Sequence, residues 1–379
     1  MKKENQILLE HQLKSYLNGI FFDNDTTILS HYLSLQGTSF EKTYQRILER
    51  NSINLKQLPS QSEFLNKYAL FPPQNKLKFS FIDLFAGIGG FRLALQNNGG
   101  VCVFSSEWDS AAKQTYAANY AEIPFGDITK INPNCIPDFD ILTGGFPCQP
   151  FSSIGKREGF EHKTQGTLFF FIAKIIKAKQ PKAFLLENVP GLVTHNRGKT
   201  LSVILETLQE LHYNVSFKVL NSADFGVPQE RKRLYFVGFR GNLKVKDFQF
   251  PTKKRQKVGI GQFIEQNAEG PSISKKLQSS YIFKKDDGHP EIVDSSTNHP
   301  VKTLCASYHK IQRITGTFVR GGKTGLRLFT EQECKAVMGF PQNFKIPVSR
   351  TQMYHQFGNS VAVPVIQEII KKIIETLEV

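Results

Sequence analysis

Short apolar runs alternate with stretches of helical periodicity through the middle of the chain. Five runs have the length and the β-branched and aromatic content of buried strands, at residues 79–85, 101–106, 139–145, 182–188 and 233–239. Between them, apolar residues at helical spacing predict helices over 91–98, 109–119, 167–179 and 199–211. Strands alternating with helices are typical of βαβ units, so the pattern predicts an α/β fold with a doubly wound, mostly parallel sheet covered on both faces.

The residues before this alternation follow a different pattern. Apolar residues recur at helical spacing within residues 1–76, and a short helix is predicted around residues 28–35, before the turn Gln36-Gly37. Two helices about such a turn are typical of a helix-turn-helix, or of an extension that packs on the next domain. The segment FPPQNK at the end has the composition of a linker, so residues 1–76 are predicted to be a helical N-terminal extension.

The alternation also stops after Phe250. Residues 251–330 are rich in Lys, Ser, Thr and Gly, with short strand-like runs at YIFK (281–284) and TGTFVR (315–320). This composition predicts a smaller, loop-rich domain inserted before the C-terminus. Amphipathic spacing returns over residues 365–377, where a helix is predicted.

The charge of the chain indicates the class of its partner. Lys and Arg number 48 against 33 Asp and Glu, which gives a formal net charge of +15. Residues 244–330 hold 16 basic and 7 acidic residues, a net of +9. Phosphate contacts release counterions from a nucleic acid, so this surplus favours a polyanion as partner, with simple solubility as the alternative explanation.

Apolar runs and cysteines indicate the compartment. No apolar run approaches the ~20 residues that span a bilayer, and the N-terminus lacks the apolar block of a signal peptide. The five cysteines include no CxxC pair, and no His cluster stands at zinc spacing. We therefore expect a cytoplasmic protein with no disulfide framework and no metal, in which at least one thiol is available for chemistry.

A glycine-rich turn follows the first strand run. The segment FIDLFAGIGGF (81–91) passes from strand to helix as nucleotide-binding turns do, but it lacks the third glycine of GxGxxG. Glu107 and Trp108 end the second strand run, where a carboxylate can accept from ribose hydroxyls and an aromatic ring can lie on adenine. Asp127 follows the next run and could accept from the adenine amino group. Each acid alone is equally well explained as a solvated strand end, but together they favour an adenosine-type cofactor.

A cysteine follows the third strand run. The segment GGFPCQPFS (144–152) lies at the carboxyl edge of the predicted sheet, where open α/β folds bind ligands. Two prolines bracket Cys148 and fix the backbone around its thiol. A free thiol has a pKa of about 8.5, so a nucleophilic cysteine needs surroundings that favour its thiolate. A buried, inert cysteine is the alternative, and it describes Cys102 and Cys305 better than Cys148.

Six motifs stand in one order along the chain. They are FIDLFAGIGGF, GGFPCQPFS, Glu-Asn-Val (187–189), QERKR (229–233), RLFTEQECKAVMGFP (327–341) and FGNSVAVPV (357–365). Together they resemble the motifs of the DNA (cytosine-5)-methyltransferases, which use S-adenosylmethionine. The resemblance covers residues 77–379 and implies a Rossmann-like methyltransferase fold. The implied domains are a catalytic domain at 77–245 completed by 350–379, a target-recognition domain at 246–326, and a hinge region at 327–349.

The resemblance also implies roles for individual residues. Cys148 would add to C6 of cytosine, and Glu187 would act as the acid at N3. Arg231 and Arg233 would clamp the base and its flanking phosphate. The implied S-adenosylmethionine pocket is lined by Phe85, Gly87, Ile88, Gly90, Glu107, Trp108, Asp127, Ile128, Pro147, Leu168, Asn359, Ser360 and Val361.

The loop after Cys148 is an implied contact to DNA. A stacked base cannot be reached by this chemistry, so the target cytosine would flip out of the duplex. A loop containing Ser152, Lys156 and Arg157 is expected to close over the flipped base. The chain has Lys-Thr-Gln-Gly at 163–166 where the family commonly carries Asp-x-Arg-Gly, which predicts an altered loop contact with DNA rather than lost chemistry.

The basic segment 246–326 is the implied reader of the target sequence. Within it, Lys310, Gln312 and Arg313 are candidate contacts to bases or phosphates, with solvated charge as the alternative. The stretches LQSSYIFKKDDG and VKTLCASYHKIQRITGTFV are similar to the MspI-type methyltransferases. That similarity implies methylation of the outer cytosine of CCGG in double-stranded DNA.

The same resemblance implies a biological setting. It implies a monomeric enzyme of the bacterial cytoplasm, associated with the nucleoid, whose cognate restriction endonuclease acts on the same site without forming a stable complex with it. Two other functions stay open from the residues alone. One is an RNA or tRNA cytosine-5 methyltransferase, since such relatives share the catalytic motifs. The other is a non-catalytic nucleotide- or DNA-binding regulator.

Overall fold

A computed structural model of the chain gives the arrangement of most of its length. The described residues are 31–32, 41–42, 45–46, 60–147, 168–243, 245, 247–252 and 256–378. Two compact units share them: the first is Met1–Lys218, Leu234–Phe248 and Ile373–Val379, and the second is Val219–Arg233 and Gln249–Lys372. In the described part of the chain, no helix is both long enough and apolar enough to cross a membrane.

Strands and helices alternate as the apolar pattern predicts. The strands are β1 (Phe79–Leu84), β2 (Gly100–Ser106), β3 (Ile141–Gly145), β4 (Ala183–Asn188), β5 (Tyr213–Asn221), β6 (Lys232–Arg240), β7 (Glu291–Val293), β8 (Thr317–Arg320) and β9 (Leu326–Arg327). The principal helices are α1 (Gln61–Tyr68), α2 (Gly90–Gln96), α3 (Ser110–Tyr120), α4 (Leu168–Lys179), α5 (Lys199–Glu210), α6 (Lys275–Leu277), α7 (Glu331–Met338), α8 (Arg350–Asn359) and α9 (Val363–Leu377). The five strand runs, the four helices between them and the C-terminal helix are confirmed, with ends shifted by one or two residues.

The main sheet has six strands in the order β2-β1-β3-β4-β6-β5. β1, β2, β3 and β4 pair in parallel, and β6 pairs with β4 in the antiparallel sense. The predicted α/β class and the mostly parallel sheet are therefore confirmed. The chain leaves β1 toward β2 and later returns to the other side of β1 as β3, so the order reverses between β1 and β3. In doubly wound folds such a reversal opens a crevice beyond the carboxyl ends of the strands, where ligands bind.

The core of the first unit explains why these runs become central strands. β1, β3 and β4 are almost wholly buried, as parallel strands covered on both faces must be. From α4 the core receives two neighbouring rings, Phe169 and Phe170, each 1% exposed. α3 begins where the carboxylate of Asp109 accepts from the backbone N–H of Ala112 at 2.7 Å, a cap that fixes its first turn just beyond β2.

Two local predictions differ from the structure. The prediction of a strand-like run at YIFK (281–284) is wrong. A helical turn capped by Ser274 continues through Ile282. The side chain of Gln278 donates to the carbonyls of Ile273 and Thr324, which holds this turn helical against the β-forming composition of the run. TGTFVR is confirmed as β8, which joins β7 and β9 in a three-stranded sheet.

β5 was not predicted, because much of it is exposed to solvent. Phe217 and Val219 lie on it and are 43% and 40% exposed. Apolar and polar residues are therefore mixed along it, and no continuous apolar run marks it in the sequence.

Described residues of the N-terminal extension pack within the first unit, against residues around α3. His31 is buried, its Nε2 lies 2.8 Å from the carbonyl oxygen of Ile123, and its ring stacks on Phe125 at 4.4 Å. The backbone N–H groups of Leu70 and Phe71 both donate to the carbonyl of Asn119. These contacts favour the packing extension over a helix-turn-helix. His31 and Tyr32 are helical, as predicted for residues 28–35, and the rest of that prediction lies outside the described residues.

Candidate active site

The carboxyl end of β4 carries Glu187 beside the end of β3. Glu187 pairs in register with Gly145, the last residue of β3. A Cβ added at Gly145 would lie 3.3 Å from Oε2 of Glu187, so the carboxylate sits directly over this glycine. Phe146 and Pro147 follow at once and lead to Cys148. The predicted acid therefore lies at the root of the loop that carries the predicted nucleophile.

Asn188 fixes the start of the same loop. Its Nδ2 donates to the carbonyl of Phe146 at 2.9 Å, and its Oδ1 accepts from the N–H of Val189 at 2.8 Å. The side chain is 2% exposed, so both bonds are shielded from water. Sequence reasoning did not assign Asn188 a role, although an amide beside Glu187 at a strand end was the available signal.

Residues 148–167 lie outside the described part of the chain. The predictions for Cys148 and for the DNA contacts Ser152, Lys156 and Arg157 fall there and stay predictions. Pro147 is exposed at the edge of this segment, and Leu168 is half-buried where α4 begins.

Glu107 joins the ends of β1 and β2. Its Oε2 accepts from the N–H of Gly87 at 2.8 Å, and its Oε1 accepts from the N–H groups of Trp108 and Asp109, each at 2.8 Å. Burial raises the pKa of the Glu107 carboxyl above its ordinary value, while the three N–H donors oppose that shift by stabilising the charged form. The same carboxylate thus shapes the glycine-rich loop and the turn beyond β2.

The surroundings of Glu107 fit an adenosine-type cofactor. A Cβ added at Gly87 would meet no heavy atom closer than the carbonyl oxygen of Phe85 at 4.0 Å, so the space before this loop is open. The indole of Trp108 is 80% exposed and leaves an aromatic face available. Asp127 caps the turn that follows it, where its Oδ1 accepts from Thr129. A carboxylate, an aromatic face and an open cradle thus stand at successive strand ends.

Four further predicted pocket residues of the first unit are buried or half-buried. Phe85 is half-buried with a φ of 55°, and Gly90 is buried where α2 begins. Ile88 and Ile128 are buried, at 1% and 3% exposure, and their place in the pocket stays a prediction.

In the second unit, Arg231 organises a turn. Its guanidinium donates to the carbonyls of Leu304 at 3.2 Å, Gly358 at 2.9 Å and Ser360 at 2.7 Å. Gly358 lies in the last turn of α8 and Ser360 directly follows that helix, so these bonds hold the segment that carries the predicted pocket residues Asn359, Ser360 and Val361. Arg231 is 3% exposed, whereas Arg233 is half-buried and donates to the carbonyl of Lys232.

Gln229 holds this part of the second unit together. It is fully buried, its Nε2 donates to the carbonyl of Val337 at 2.7 Å, and its Oε1 accepts from the N–H of Leu304 at 2.6 Å. The segment before β6 is therefore tied to α7 and to the stretch around Leu304.

The three predicted DNA contacts of the second unit differ in exposure. Lys310 and Gln312 are exposed, whereas Arg313 is 8% exposed. The Arg313 guanidinium binds both carboxylate oxygens of Asp287 and also donates to the carbonyls of Ile282 and Lys285. The hydrogen bonds from Arg313 to its carboxylate lower the pKa of Asp287 to about 2. A contact of Arg313 with DNA stays a prediction.

Two cysteines outside the nucleophile loop are buried and inert. Burial raises the pKa of the Cys102 thiol to about 12, and it raises the pKa of the Cys334 thiol well above its ordinary value. Neither forms a thiolate near neutral pH. Across the described residues, no group of three or more His, Cys, Asp or Glu side chains is placed to hold a metal ion.

Comparisons with known proteins identify a family and several relatives that the chain resembles. Residues 79–375 match the family model for C-5 cytosine-specific DNA methylase. The chain is 58% identical over 301 residues to the type II methyltransferase M.BsuFI of Bacillus subtilis, a match that covers 79% of this chain and 73% of the relative. It is 50% identical over 365 residues to the type II methyltransferase M.MspI of Moraxella sp, covering 96% of this chain and 84% of the relative.

Solved structures show the same fold. The crystal structure of S. pombe Dnmt2 methyltransferase superposes with a TM-score of 0.64 and 21% sequence identity, covering 80% of this chain and all of that one. The structure of a putative DNA modification methyltransferase encoded within an E. coli prophage gives a TM-score of 0.63 at 21% identity, over 80% of this chain.

Proposed function

We propose a substrate and a mechanism for this protein on the premise that the comparisons establish: the chain belongs to the C-5 cytosine-specific DNA methylase family. It is a DNA (cytosine-5)-methyltransferase of the type II restriction–modification class, and its family is S-adenosylmethionine-dependent. The proposed reaction is methylation of the outer cytosine of CCGG in double-stranded DNA. The methyl mark would protect the site from a cognate endonuclease.

The groups at the ends of β1 and β2 are the proposed binding site of the cofactor. When bound, S-adenosylmethionine supplies an electrophilic methyl group. Glu107 would accept from the ribose hydroxyls through the lone pairs that its three N–H donors leave, and Trp108 would lie on the adenine ring. Asp127 would accept from the adenine amino group.

The base is activated by groups at the ends of β3 and β4. C5 of cytosine is a weak nucleophile, so the proposed step is addition of the Cys148 thiolate to C6, which moves electron density to C5. Glu187 would hold a proton at N3, where the ring takes up charge. Loss of the C5 proton after methylation then expels the cysteine. Arg233 would donate to the cytosine carbonyl and the flanking phosphate, with Arg231 as the second clamp.

Target recognition would lie in the basic segment 246–326. Flipping the cytosine costs a few kcal/mol, which contacts to the flipped base and to phosphates must offset. Ser152, Lys156 and Arg157 are the proposed contacts on the closing loop. Lys310, Gln312 and Arg313 are the proposed contacts in the basic segment.

The identity of CCGG is supported by similarity rather than by geometry. The chain is 50% identical to M.MspI across 96% of its length, which includes the basic segment whose stretches resemble the MspI type. We further propose that the enzyme acts as a monomer in the bacterial cytoplasm, without a stable complex with its endonuclease.

One observation carries the proposed mechanism. Glu187 lies over Gly145, the last residue of β3 and three residues before Cys148. Asn188 binds the carbonyl of Phe146, which follows Gly145. An acid at N3 and a nucleophile at C6 act on opposite atoms of one ring, so both must reach the same base, and their positions at or after the ends of two adjacent parallel strands support this arrangement.

Bisulfite sequencing of a plasmid incubated with the protein and S-adenosylmethionine tests the proposal. Methylation confined to the outer cytosine of CCGG is the expected result, and a Cys148→Ser variant should bind the cofactor yet leave every cytosine unmodified. Methylation of another sequence, or of the inner cytosine, would remove the target assignment and keep the enzyme. A Cys148→Ser variant as active as wild type would refute the adduct, and transfer to tRNA alone would refute the DNA substrate.

A further inference from the structure

Beneath the glycine-rich loop lies a buried positive charge. Arg92, on α2, is 1% exposed and pairs with the carboxylate of Glu122. Its Nη1 donates to the hydroxyl of Tyr116 at 3.1 Å, and its Nε donates to Oε1 of Gln96 at 2.6 Å. The guanidinium carbon lies 4.7 Å from the centroid of the Tyr120 ring. A buried charge is costly unless it is fully paired, so this arrangement holds its members in one geometry.

Tyr120 connects this charged cluster to the loop. Its hydroxyl donates to the carbonyl of Gly89 at 2.7 Å. Gly89 has a φ of 84°, a left-handed conformation that glycine adopts at low cost, and it precedes the first residue of α2. A Cβ added there would lie only 2.3 Å from Cε2 of Tyr120, so the ring packs directly on the backbone of the loop.

The same cluster is tied to the segment that enters the catalytic region. Gln96, which accepts from Arg92, donates through Nε2 to the carbonyl of Phe71 at 2.8 Å. The ring of Phe71 lies 6.3 Å from that of Tyr120. Tyr120 ends α3, and its ring is flanked by Arg92 from α2 and by Phe71 from the segment before β1.

We propose that Tyr120 is a positioning residue for the cofactor loop, which holds Gly89 by one hydrogen bond and by the packing of its ring. The Arg92 cluster keeps Tyr120 in place. This inference rests on the proposed function, because it takes residues 85–90 as part of the S-adenosylmethionine site. Two residues before Gly89, the N–H of Gly87 donates to Glu107, so a shift of Gly89 would disturb the carboxylate assigned to the ribose.

A loop that is ordered before binding loses less conformational entropy when its ligand arrives. Removing the Tyr120 hydroxyl deletes one bond to the Gly89 carbonyl, which still accepts from the N–H of Leu93. The carbonyl is therefore not left unpaired, and the expected loss is that of a single neutral hydrogen bond. We expect Tyr120→Phe to weaken S-adenosylmethionine binding about fivefold.

Tyr213 supplies a matched control. It is 3% exposed, and its hydroxyl donates to the carbonyl of Pro181 at 2.6 Å. Tyr213→Phe therefore also removes a buried tyrosine hydroxyl that donates to a backbone carbonyl, but at the far end of β4. Trp108 is the single tryptophan of the chain and lies at the proposed adenine site, so its fluorescence reports cofactor binding.

The experiment titrates S-adenosylmethionine into both full-length variants and the wild-type chain. The inference predicts a Kd about five times higher for Tyr120→Phe and unchanged for Tyr213→Phe, with kcat at saturating cofactor and KM for DNA within about twofold of wild type. Amide hydrogen exchange of a peptide that spans residues 85–93 should be faster in Tyr120→Phe alone. This second measurement needs no ligand.

Equal affinities for Tyr120→Phe and wild type would overturn the inference, and so would equal weakening by both variants, which would indicate a general loss of stability. Wild-type protein that bound no S-adenosylmethionine would overturn the proposed function, and this inference with it. Wild-type binding with unaltered Tyr120→Phe binding would overturn the inference alone.

Discussion

Gly145 offers a test of the proposed catalytic acid that leaves the acid itself in place. A Cβ at this position would lie 3.3 Å from Oε2 of Glu187 and 3.7 Å from a ring carbon of Phe91. The second distance is an ordinary contact, whereas the first requires the carboxylate to move by a few tenths of an ångström. Gly145 does not have a positive φ, so alanine is not strained there. Gly145→Ala should therefore displace Glu187 without unfolding the chain.

The size of the effect follows from the displacement. A misplacement of about 1 Å can cost about 100-fold in rate, so on a logarithmic scale a shift of about 0.3 Å costs about fourfold. Fourfold corresponds to about 0.8 kcal/mol of activation free energy. Cofactor binding should be unchanged, because Glu107 and the loop after β1 are not touched by the new methyl group.

The rate should be measured in single turnovers, with enzyme in excess over a short duplex and with labelled S-adenosylmethionine, so that product release does not hide the chemical step. Gly191→Ala is the control. Gly191 lies in the turn directly after β4, its φ is not positive, and a Cβ there would meet no heavy atom within 4 Å. We expect Gly191→Ala to transfer methyl groups at the wild-type rate.

Two results would refute this reasoning. If Gly145→Ala reacted as fast as wild type, Glu187 would not be held over Gly145 during the reaction. If both alanine variants lost rate equally, the effect would come from the backbone and not from the carboxylate.

The remaining predictions concern the cofactor, the target and the N-terminal extension. Glu107→Gln should weaken S-adenosylmethionine binding at least tenfold, about 1.4 kcal/mol, because its amide would face N–H groups that donate to the carboxylate. Fluorescence titration checks this, and unchanged affinity would contradict it. Arg313→Lys should relax discrimination between CCGG and single-base variants, whereas Lys310→Ala should lower the salt dependence of DNA binding by about one phosphate contact. Binding assays at several salt concentrations separate these effects, and the opposite pattern would make Arg313 the phosphate contact and Lys310 the base contact. Burial lowers the pKa of His31 to about 4, below its unfolded value of about 6.5, so the unfolded chain binds the proton first and stability should fall as pH drops from 6.5 to 4, by up to about 3 kcal/mol. His31→Gln should flatten that dependence in urea unfolding, and parallel curves for the two proteins would disprove it.

The sequence predicts the central sheet well for a physical reason. Parallel strands buried on both faces must be continuous apolar runs, so β1, β3 and β4 can be recognised from the sequence. Their following loops carry the proposed chemistry, because parallel strands place all their carboxyl ends at one edge. The strands, and the segments that hold Glu107 and Glu187, could therefore be located before the structure was known.

Predictions failed where distant partners decide the local structure. YIFK has the composition of a strand, yet Gln278 bonds to Thr324, which is 46 residues away, and holds the segment helical. Arg231 and Arg233 look alike in the sequence. The acceptors of Arg231 lie 73 to 129 residues further along the chain, and they bury this arginine while the other remains partly exposed. No pattern of local spacing contains that information.

The pairing of β1 with β3 explains why the proposed methyl donor and nucleophile can share one site. Leu84 and Gly144 are partners in this ladder, so the cofactor loop and the cysteine loop leave the sheet on strands about 4.8 Å apart. A Cβ at Gly144 would lie 3.2 Å from the carbonyl oxygen of Leu84, and a larger side chain would push the two strand ends apart. The two glycines of β3 thus have different tasks: Gly144 lets the cofactor loop approach the cysteine loop, and Gly145 leaves room for Glu187. Because the crevice opens where the strand order reverses, the fold places the first residues after β1 and β3 at its mouth.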